Sequence, residues 1–286
     1  MRLFIFGPGY VGLFLAQRLA AAGWRVAASA RSAASAADLA AQGIEPVDPA
    51  NAEAMDAAIA QAAAVLVAAP PDARGCPGLE PVGRALAGGG APGWIGYLSS
   101  TGVYGDRGGR WVFEDSPLRA QSVVGARRVA AERSWLDLGC ASGAPVAVFR
   151  LPGIYGPGRS AFDRLRDGSA RRVVRPGQVF SRIHRDDLTA ALEASIARPR
   201  AGAIYNVCDD EPSPPQDVIA YAAGLLGVPP PPEVAFDAAA LAEASQRFFA
   251  ESKRVSNARA KAELGWRPAY PSYREGLRAI LDKEQA

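Results

Sequence analysis

Gly7, Gly9 and Gly12 stand in the spacing G-x-G-x-x-G within Gly7-Pro8-Gly9-Tyr10-Val11-Gly12, a pattern suited to holding an anion. The first glycine permits a tight turn. The second removes the Cβ that would keep backbone N–H groups from a phosphate, and the third lets a helix pack closely on a strand. The matching ligand is a dinucleotide, its pyrophosphate set on the positive end of the helix that Tyr10 and Val11 open. Glycines also serve ordinary turns, so the reading rests on what flanks them. Arg2 to Phe6 is an apolar run of strand length, and Leu13, Leu15, Ala16, Leu19 and Ala20 follow with helical spacing.

Trp24 to Ser29 then reads as a second strand, completing a βαβ unit of about 30 residues. An NAD site would place Asp or Glu about 20 residues past the glycines to bind ribose hydroxyls. Here the chain reads Ser29-Ala30-Arg31-Ser32. A guanidinium flanked by hydroxyls suits a 2′-phosphate, so NADP is favoured over NAD, with a merely solvated Arg31 as the alternative. Two further loops belong at the same edge. Pro70 ends the apolar strand Ala64 to Ala69, and Ser99-Ser100-Thr101-Gly102-Val103-Tyr104-Gly105 ends the strand Trp94 to Leu98. Carboxyl-end loops of an open parallel sheet face the ligand crevice.

These residues need a doubly wound parallel sheet behind them. Short strands alternate with helices through Ile44 to Val47, an Asn51-capped helix to Ala60, a weak helix near Val82 to Ala87, a helix from about Ser122 to Leu138, and the strand Pro145 to Phe149. Six strands in this alternation predict a Rossmann-type α/β domain over residues 1–150. Beyond it the alternation is lost. Short strands at Arg172 to Val174 and Ile204 to Val207, with helices at Asp186 to Ala197, Gln216 to Leu226 and Tyr273 to Leu281, predict a smaller mixed α/β substrate lobe over residues 151–286, sharing some strands or helices with the first domain in a single compact unit and roofing the cofactor.

Composition narrows the classes. The formal charge of +3 over 286 residues, with no block of like charge, argues against nucleic acid as a partner. Cys76, Cys140 and Cys208 are too far apart for a C-x-x-C arrangement, and His184 is the single histidine, so no metal site is expected. No apolar run reaches the ~18 residues of a membrane span, which points to a cytoplasmic protein without a membrane partner.

Six segments in order, GPGYVG, LSSTGVYG, FRLPGIYGPG, SRIHRDDL, IYNVCDDEP and KAELGWRP, resemble the extended short-chain dehydrogenase/reductases, in the NAD(P)-dependent epimerase/dehydratase branch that works largely on nucleotide sugars. The resemblance implies an NAD(P)-dependent oxidoreductase or epimerase acting on a polar, nucleotide-linked small molecule, and a homodimer among its assemblies. It also implies a catalytic Ser, Tyr and Lys, the last two spaced Y-x-x-x-K. The serine role falls on Ser100. Val124 stands at the tyrosine position and Arg128 at the lysine position. Valine cannot carry a proton; arginine can still donate hydrogen bonds to ribose but brings a planar fork in place of a point charge.

Tyr104 and His184 are the candidate replacements for the tyrosine, each with a packing role as the alternative. Tyr155 in the YGPG turn, Arg159 after it and Arg182 beside His184 are candidate substrate contacts. Arg150 either meets a substrate phosphate or is a surface residue. Asp186-Asp187 read as helix-start residues, and Asp209-Asp210-Glu211 as a solvated turn. Two functions follow: an NADP-dependent enzyme of atypical catalytic set, or a dinucleotide-binding sensor with little turnover.

Overall fold

The structure is a computed structural model that describes residues 1–237, 246 and 248–285. The chain begins with β1 (Arg2–Phe6), α1 (Tyr10–Ala21), β2 (Arg25–Ser29), α2 (Ala33–Ala41) and β3 (Glu45–Val47). It continues through α3 (Ala52–Ala60), β4 (Ala64–Val67), α4 (Leu79–Ala87) and β5 (Trp94–Ser100). Then come β6 (Trp111–Val112), α5 (Val123–Ser142), β7 (Val146–Leu151), β8 (Gly153–Tyr155), α6 (Ala161–Arg166) and β9 (Arg172–Val174). β10 (Arg182–His184), α7 (Arg185–Ala197), β11 (Ala203–Asn206), α8 (Pro215–Leu225), β12 (Glu233–Ala235) and β13 (Arg254–Val255) follow. Helices Ala258–Leu264 and Tyr273–Gln285 complete the described elements.

Seven strands form one sheet in the order β11-β7-β5-β4-β1-β2-β3. β1 pairs in parallel with β2 on one side and β4 on the other, so the strand order reverses between β1 and β4. Helices cover both faces, which explains why Leu3 to Phe6 and Ala64 to Val67 are buried without alternation. The last strand corrects the sequence reading, which placed Ile204 to Val207 in the smaller lobe. Instead β11 lies on the edge of the main sheet, where Tyr205 sets its ring 5.9 Å from that of Phe149 on β7 and is buried there. A strand too short to stand alone gains its ladder from that edge.

The chain divides into two compact units. One contains residues 1–100, 126–150 and 189–205; the other contains 101–125, 151–188 and 206–286. In the first, Phe4, Val65, Val67, Ile95, Trp135 and Val148 share a core. In the second, Phe162, Val218, Ile219, Tyr273, Leu277 and Ile280 share another. Three small parallel pairs also occur: β8 with β10, β9 with β12, and β6 with β13. Among the described residues no helix is long and apolar enough to cross a membrane.

One buried polar group crosses the core of the first unit. Glu132 on α5 accepts from the Arg150 guanidinium of β7 at 2.8 Å and from the Ser99 hydroxyl of β5 at 2.5 Å. Both members of the ion pair are nearly inaccessible. Arg150 is therefore neither a surface residue nor open to a substrate, since its guanidinium is spent on fastening α5 to the sheet. Removing one partner would strand a charge in the interior, a change that costs about 3–5 kcal/mol in comparable cases. Glu132→Ala should lower the unfolding free energy by that order in a denaturant titration. A loss below about 1 kcal/mol would mean that the pair contributes little.

Candidate functional site

The glycine turn explains itself residue by residue. Gly7 has φ +72°, and a Cβ there would lie 2.6 Å from the Cβ of Ala69, just past β4. A Cβ on Gly12 would meet Ile5 Cγ2 at 3.2 Å, tighter than ordinary contact, so the glycine lets α1 sit closely on β1. Gly9 is different, because nothing lies within 4 Å of where its Cβ would be. That opening sits at the start of α1, which has no side-chain cap and no acidic residue in its first turn, so its positive end is unopposed locally. The turn also lies at the strand-order reversal between β1 and β4, where open α/β sheets bind ligands. Open space at Gly9 and an uncapped helix start fit a pyrophosphate. Val11 is buried and serves packing, Tyr10 is half-buried, and Pro70 is exposed beyond β4.

The three residues expected to select NADP differ in what they offer. The Ser29 hydroxyl is buried and accepts from Gly7 N–H at 2.9 Å, so it props up the glycine turn. Ser32 caps α2, accepting from Ser35 N–H at 3.2 Å while Ser35 reaches back to Ser32 N–H. Arg31 is exposed, and none of its contacts to other described residues is a hydrogen bond or ion pair. Of the trio it is the side chain with its polar group fully available.

At the end of β5, alternate residues face opposite sides. Ser99 turns to Glu132, and Ser100 is partly buried beside it in sequence. Arg128 on α5 donates through one terminal nitrogen to the Leu98 carbonyl, and its guanidinium carbon stands 6.0 Å from the Tyr97 ring centroid. Its Nε is buried without an acceptor. The Tyr97 hydroxyl is buried and meets the geometry of a hydrogen bond with none of the described residues, and burial, outweighing the pull of nearby Arg128, raises its pKa so that the phenol stays protonated. Val124 is 52% exposed. Sequence reading missed Tyr97 and Glu132; their place on the Ser99 face of β5 and one turn past Arg128 was the available signal.

In the second unit, both candidate proton carriers have structural duties. Tyr104 is fully buried and donates to Asn206 Oδ1 at 2.7 Å, while Asn206 N–H is held by Glu114 at 2.9 Å. His184 is buried between the rings of Tyr155 and Tyr270, at centroid distances of 5.2 and 4.3 Å. Its Nδ1 accepts from Asp186 N–H at 3.2 Å, which satisfies a donor at the start of α7 and leaves the proton of the neutral ring on Nε2. Burial, only partly opposed by the Asp186 charge, pulls its pKa down to about 4.

The candidate substrate contacts separate in the same way. Tyr155 packs against Gly276, where a Cβ would come within 2.1 Å of its oxygen, and its phenol donates to the Ser272 carbonyl at 3.4 Å. Arg159 closes the YGPG turn by backbone bonds with Gly156 and is exposed. Arg182 donates to the carbonyls of Phe180 and Ser213 at 3.0 and 3.2 Å.

Two carboxylate readings change. Asp209 is not solvated: it is buried, its oxygens meet the geometry of a hydrogen bond with none of the described residues, and burial raises its pKa well above the usual carboxylate range despite Arg182. Asp187 accepts from the N–H groups of Ala269 and Tyr270 at 2.7 and 3.0 Å, so it fastens a loop instead of serving only α7. Among the described residues no group of His, Cys, Asp and Glu could hold a metal ion.

No family model matches the chain. A functionally unknown conserved protein from Silicibacter pomeroyi is 46% identical, with a TM-score of 0.90 over 99% of this chain and 98% of that one. Protein YeeZ of Escherichia coli is 32% identical over 79% of this chain and 84% of its own length. The GDP-6-deoxy-D-mannose reductase of Pseudomonas aeruginosa is 28% identical over 69% of this chain and 68% of that protein. The dTDP-glucose 4,6-dehydratase of Bacillus anthracis, solved with NAD, is 16% identical but shares the fold, with a TM-score of 0.80 over 100% of this chain and 96% of that one.

This chain is an extended short-chain dehydrogenase/reductase. It falls with the NAD(P)-dependent epimerase/dehydratase proteins of that family. A shorter match, 33% identity over 144 residues, joins it to a 3-diazoavenalumate denitrifying reductase of Streptomyces; the chain spans 45% of that protein's length. The Bacillus structure holds NAD, and the open turn at Gly9 is the feature here that fits a nicotinamide dinucleotide.

The His184 assignment has a measurable consequence. Its folded pKa lies below the unfolded 6.5, so the unfolded chain takes up the proton first as pH falls. The stability it contributes is complete above pH 6.5 and declines toward pH 4. His184→Asn keeps an acceptor for Asp186 N–H but cannot titrate. The melting temperature of the parent should fall more steeply than that of the variant between pH 7 and 4.5; parallel curves would show that His184 is not held neutral.

Proposed function

We propose that this protein is an NADP-dependent oxidoreductase acting on a polar, nucleotide-linked small molecule, with an atypical catalytic set. The single observation carrying the cofactor reading is the glycine turn, open at Gly9, followed after β2 by an exposed Arg31 that no acidic side chain among the described residues pairs with. A bound nicotinamide supplies or accepts a hydride at substrate carbon. The chain's own residues would do the rest. Backbone N–H groups at the start of α1 hold the pyrophosphate, Arg31 meets the 2′-phosphate, Arg128 donates to ribose hydroxyls, and Ser100 donates to the substrate oxygen. Arg159, exposed at its turn, is the cation proposed for the substrate's phosphate, whereas Arg182 is engaged by backbone carbonyls. The names of the Pseudomonas reductase and the Bacillus dehydratase support a nucleotide sugar as the substrate class.

Proton transfer is where this reading departs from the family. Val124 has no proton to give, Tyr104 is engaged by Asn206, and His184 is engaged as a helix cap. The proton would then come from solvent, a slower route than a positioned side chain, whose contribution is typically 10²–10⁴-fold. The same three observations favour a second reading, a dinucleotide-responsive protein with little turnover.

Titrations of NADPH and NADH separate these claims. NADPH should bind more tightly, and Arg31→Ala should weaken it at least tenfold, in line with the ~1.5–3 kcal/mol of a charge-assisted hydrogen bond, while leaving NADH unchanged. Tighter NADH binding by the parent would reverse the cofactor assignment. Nicotinamide absorbance followed across a panel of nucleotide sugars tests turnover, with Ser100→Ala expected to lower it at least tenfold. Turnover of none of them, with NADPH bound, would favour the second reading.

A further inference from the structure

The first unit carries a cleft of about 720 Å³ that plays no part in the site described above. Leu19, Ala22, Trp24, Ala63, Ile196 and Ala197 are among its lining residues. Trp24 precedes β2, Ala63 precedes β4, and Trp94, also in the lining, opens β5. The cleft therefore lies at the amino ends of the parallel strands, the opposite edge from the glycine turn. Ala22, Ala63 and Ala197 are small residues of its wall, at or next to the last turns of α1 and α7 and the start of β4.

The lining specifies a ligand class. The volume falls in the ordinary range for small-molecule sites, ~300–1,000 Å³, and the wall is mainly aliphatic with the indole of Trp24 as a flat surface. Its two charged side chains, Arg18 and Glu193, close on each other through two hydrogen bonds of 2.7 Å and cancel. Nothing in the lining side chains asks for a net charge. Trp94, beneath, has its indole N–H donated to Ser195 at 2.9 Å, so the floor is polar-satisfied and rigid.

The same helix reaches both edges of the unit. α1 begins at the glycine turn and ends at Arg18, Leu19 and Ala21, all of which line the cleft. Its 12 residues span about 18 Å as a stiff rod. We propose that the cleft is an effector site for an uncharged, apolar ring compound, and that α1 links its occupancy to the dinucleotide turn. Binding at either end then changes affinity at the other by the same factor. The link, though not the site, rests on the dinucleotide reading given above.

N-Phenyl-1-naphthylamine, a neutral ring compound that brightens in apolar surroundings, is a suitable probe. The full chain would be titrated with it, with and without saturating NADPH, alongside Ala22→Trp and Ala197→Trp. Both alanines are exposed, and unchanged melting temperatures would establish that the variants fold. Saturable emission is expected in the parent, at least tenfold weaker binding in each variant, and at least a threefold shift of the midpoint by NADPH. Absence of saturable emission, or binding unaltered in both variants, would overturn the site. Emission that rises with self-association, read by sedimentation, would assign the cleft to a second copy and overturn it too. Equal midpoints with and without NADPH would overturn the link. Failure of NADPH to bind, measured separately, would remove the dinucleotide reading and the link while the two site arms remain decisive.

Discussion

The close approach of Gly7 to Ala69 is the constraint on which the first unit's chemistry depends. The chain leaving β1 runs close beside the chain leaving β4 with no room for a side chain, since a Cβ at residue 7 would fall 2.6 Å from that of Ala69. The closeness arises because β1 pairs in parallel with β4, so both loops leave neighbouring strand ends. Ser29 accepts from Gly7 N–H and fixes the turn, α1 starts with its first turn uncapped, and the space at Gly9 faces the crevice formed by the reversal.

A second constraint holds the helix that carries Val124 and Arg128. Glu132 lies one turn beyond Arg128, and its buried bonds to Arg150 and Ser99 tie α5 to two strands at once. Ser99 serves that anchor while its neighbour Ser100 is turned to the other face, a division of labour that follows from the strand period alone. Arg128 is thereby held with one terminal nitrogen on the Leu98 carbonyl and its guanidinium near Tyr97. A planar guanidinium anchored in this way places its donors differently from a flexible ammonium. The departure at position 124 and the departure at position 128 thus belong to one helix face with one anchor.

Burial of polar groups in the second unit has a different character. His184, Asp187 and Asp209 all lie out of water, and their protonation follows from their neighbours. His184 is kept neutral, Asp187 has its pKa raised by burial with two backbone N–H groups opposing the rise, and Asp209, buried more completely, is driven toward its protonated form. Three buried titratable groups of one unit therefore behave in three ways.

Much of this was open to a reader of the sequence. The glycine spacing, the strand Arg2 to Phe6 and the alternation of strands and helices identify a dinucleotide fold because each is a local pattern with a local physical cause. The absence of a phenol at residue 124 is equally plain, since it is a statement about identity. What only the tertiary structure decided is the use to which polar side chains are put. Arg150, Tyr104, His184 and Asp209 each offered chemistry by type, but Glu132, Asn206, Tyr270 and the surrounding apolar side chains came from distant positions to engage or bury them. β11 joined the main sheet for the same reason: hydrogen-bond partners and desolvation are properties of neighbours in space, and sequence lists only neighbours along the chain.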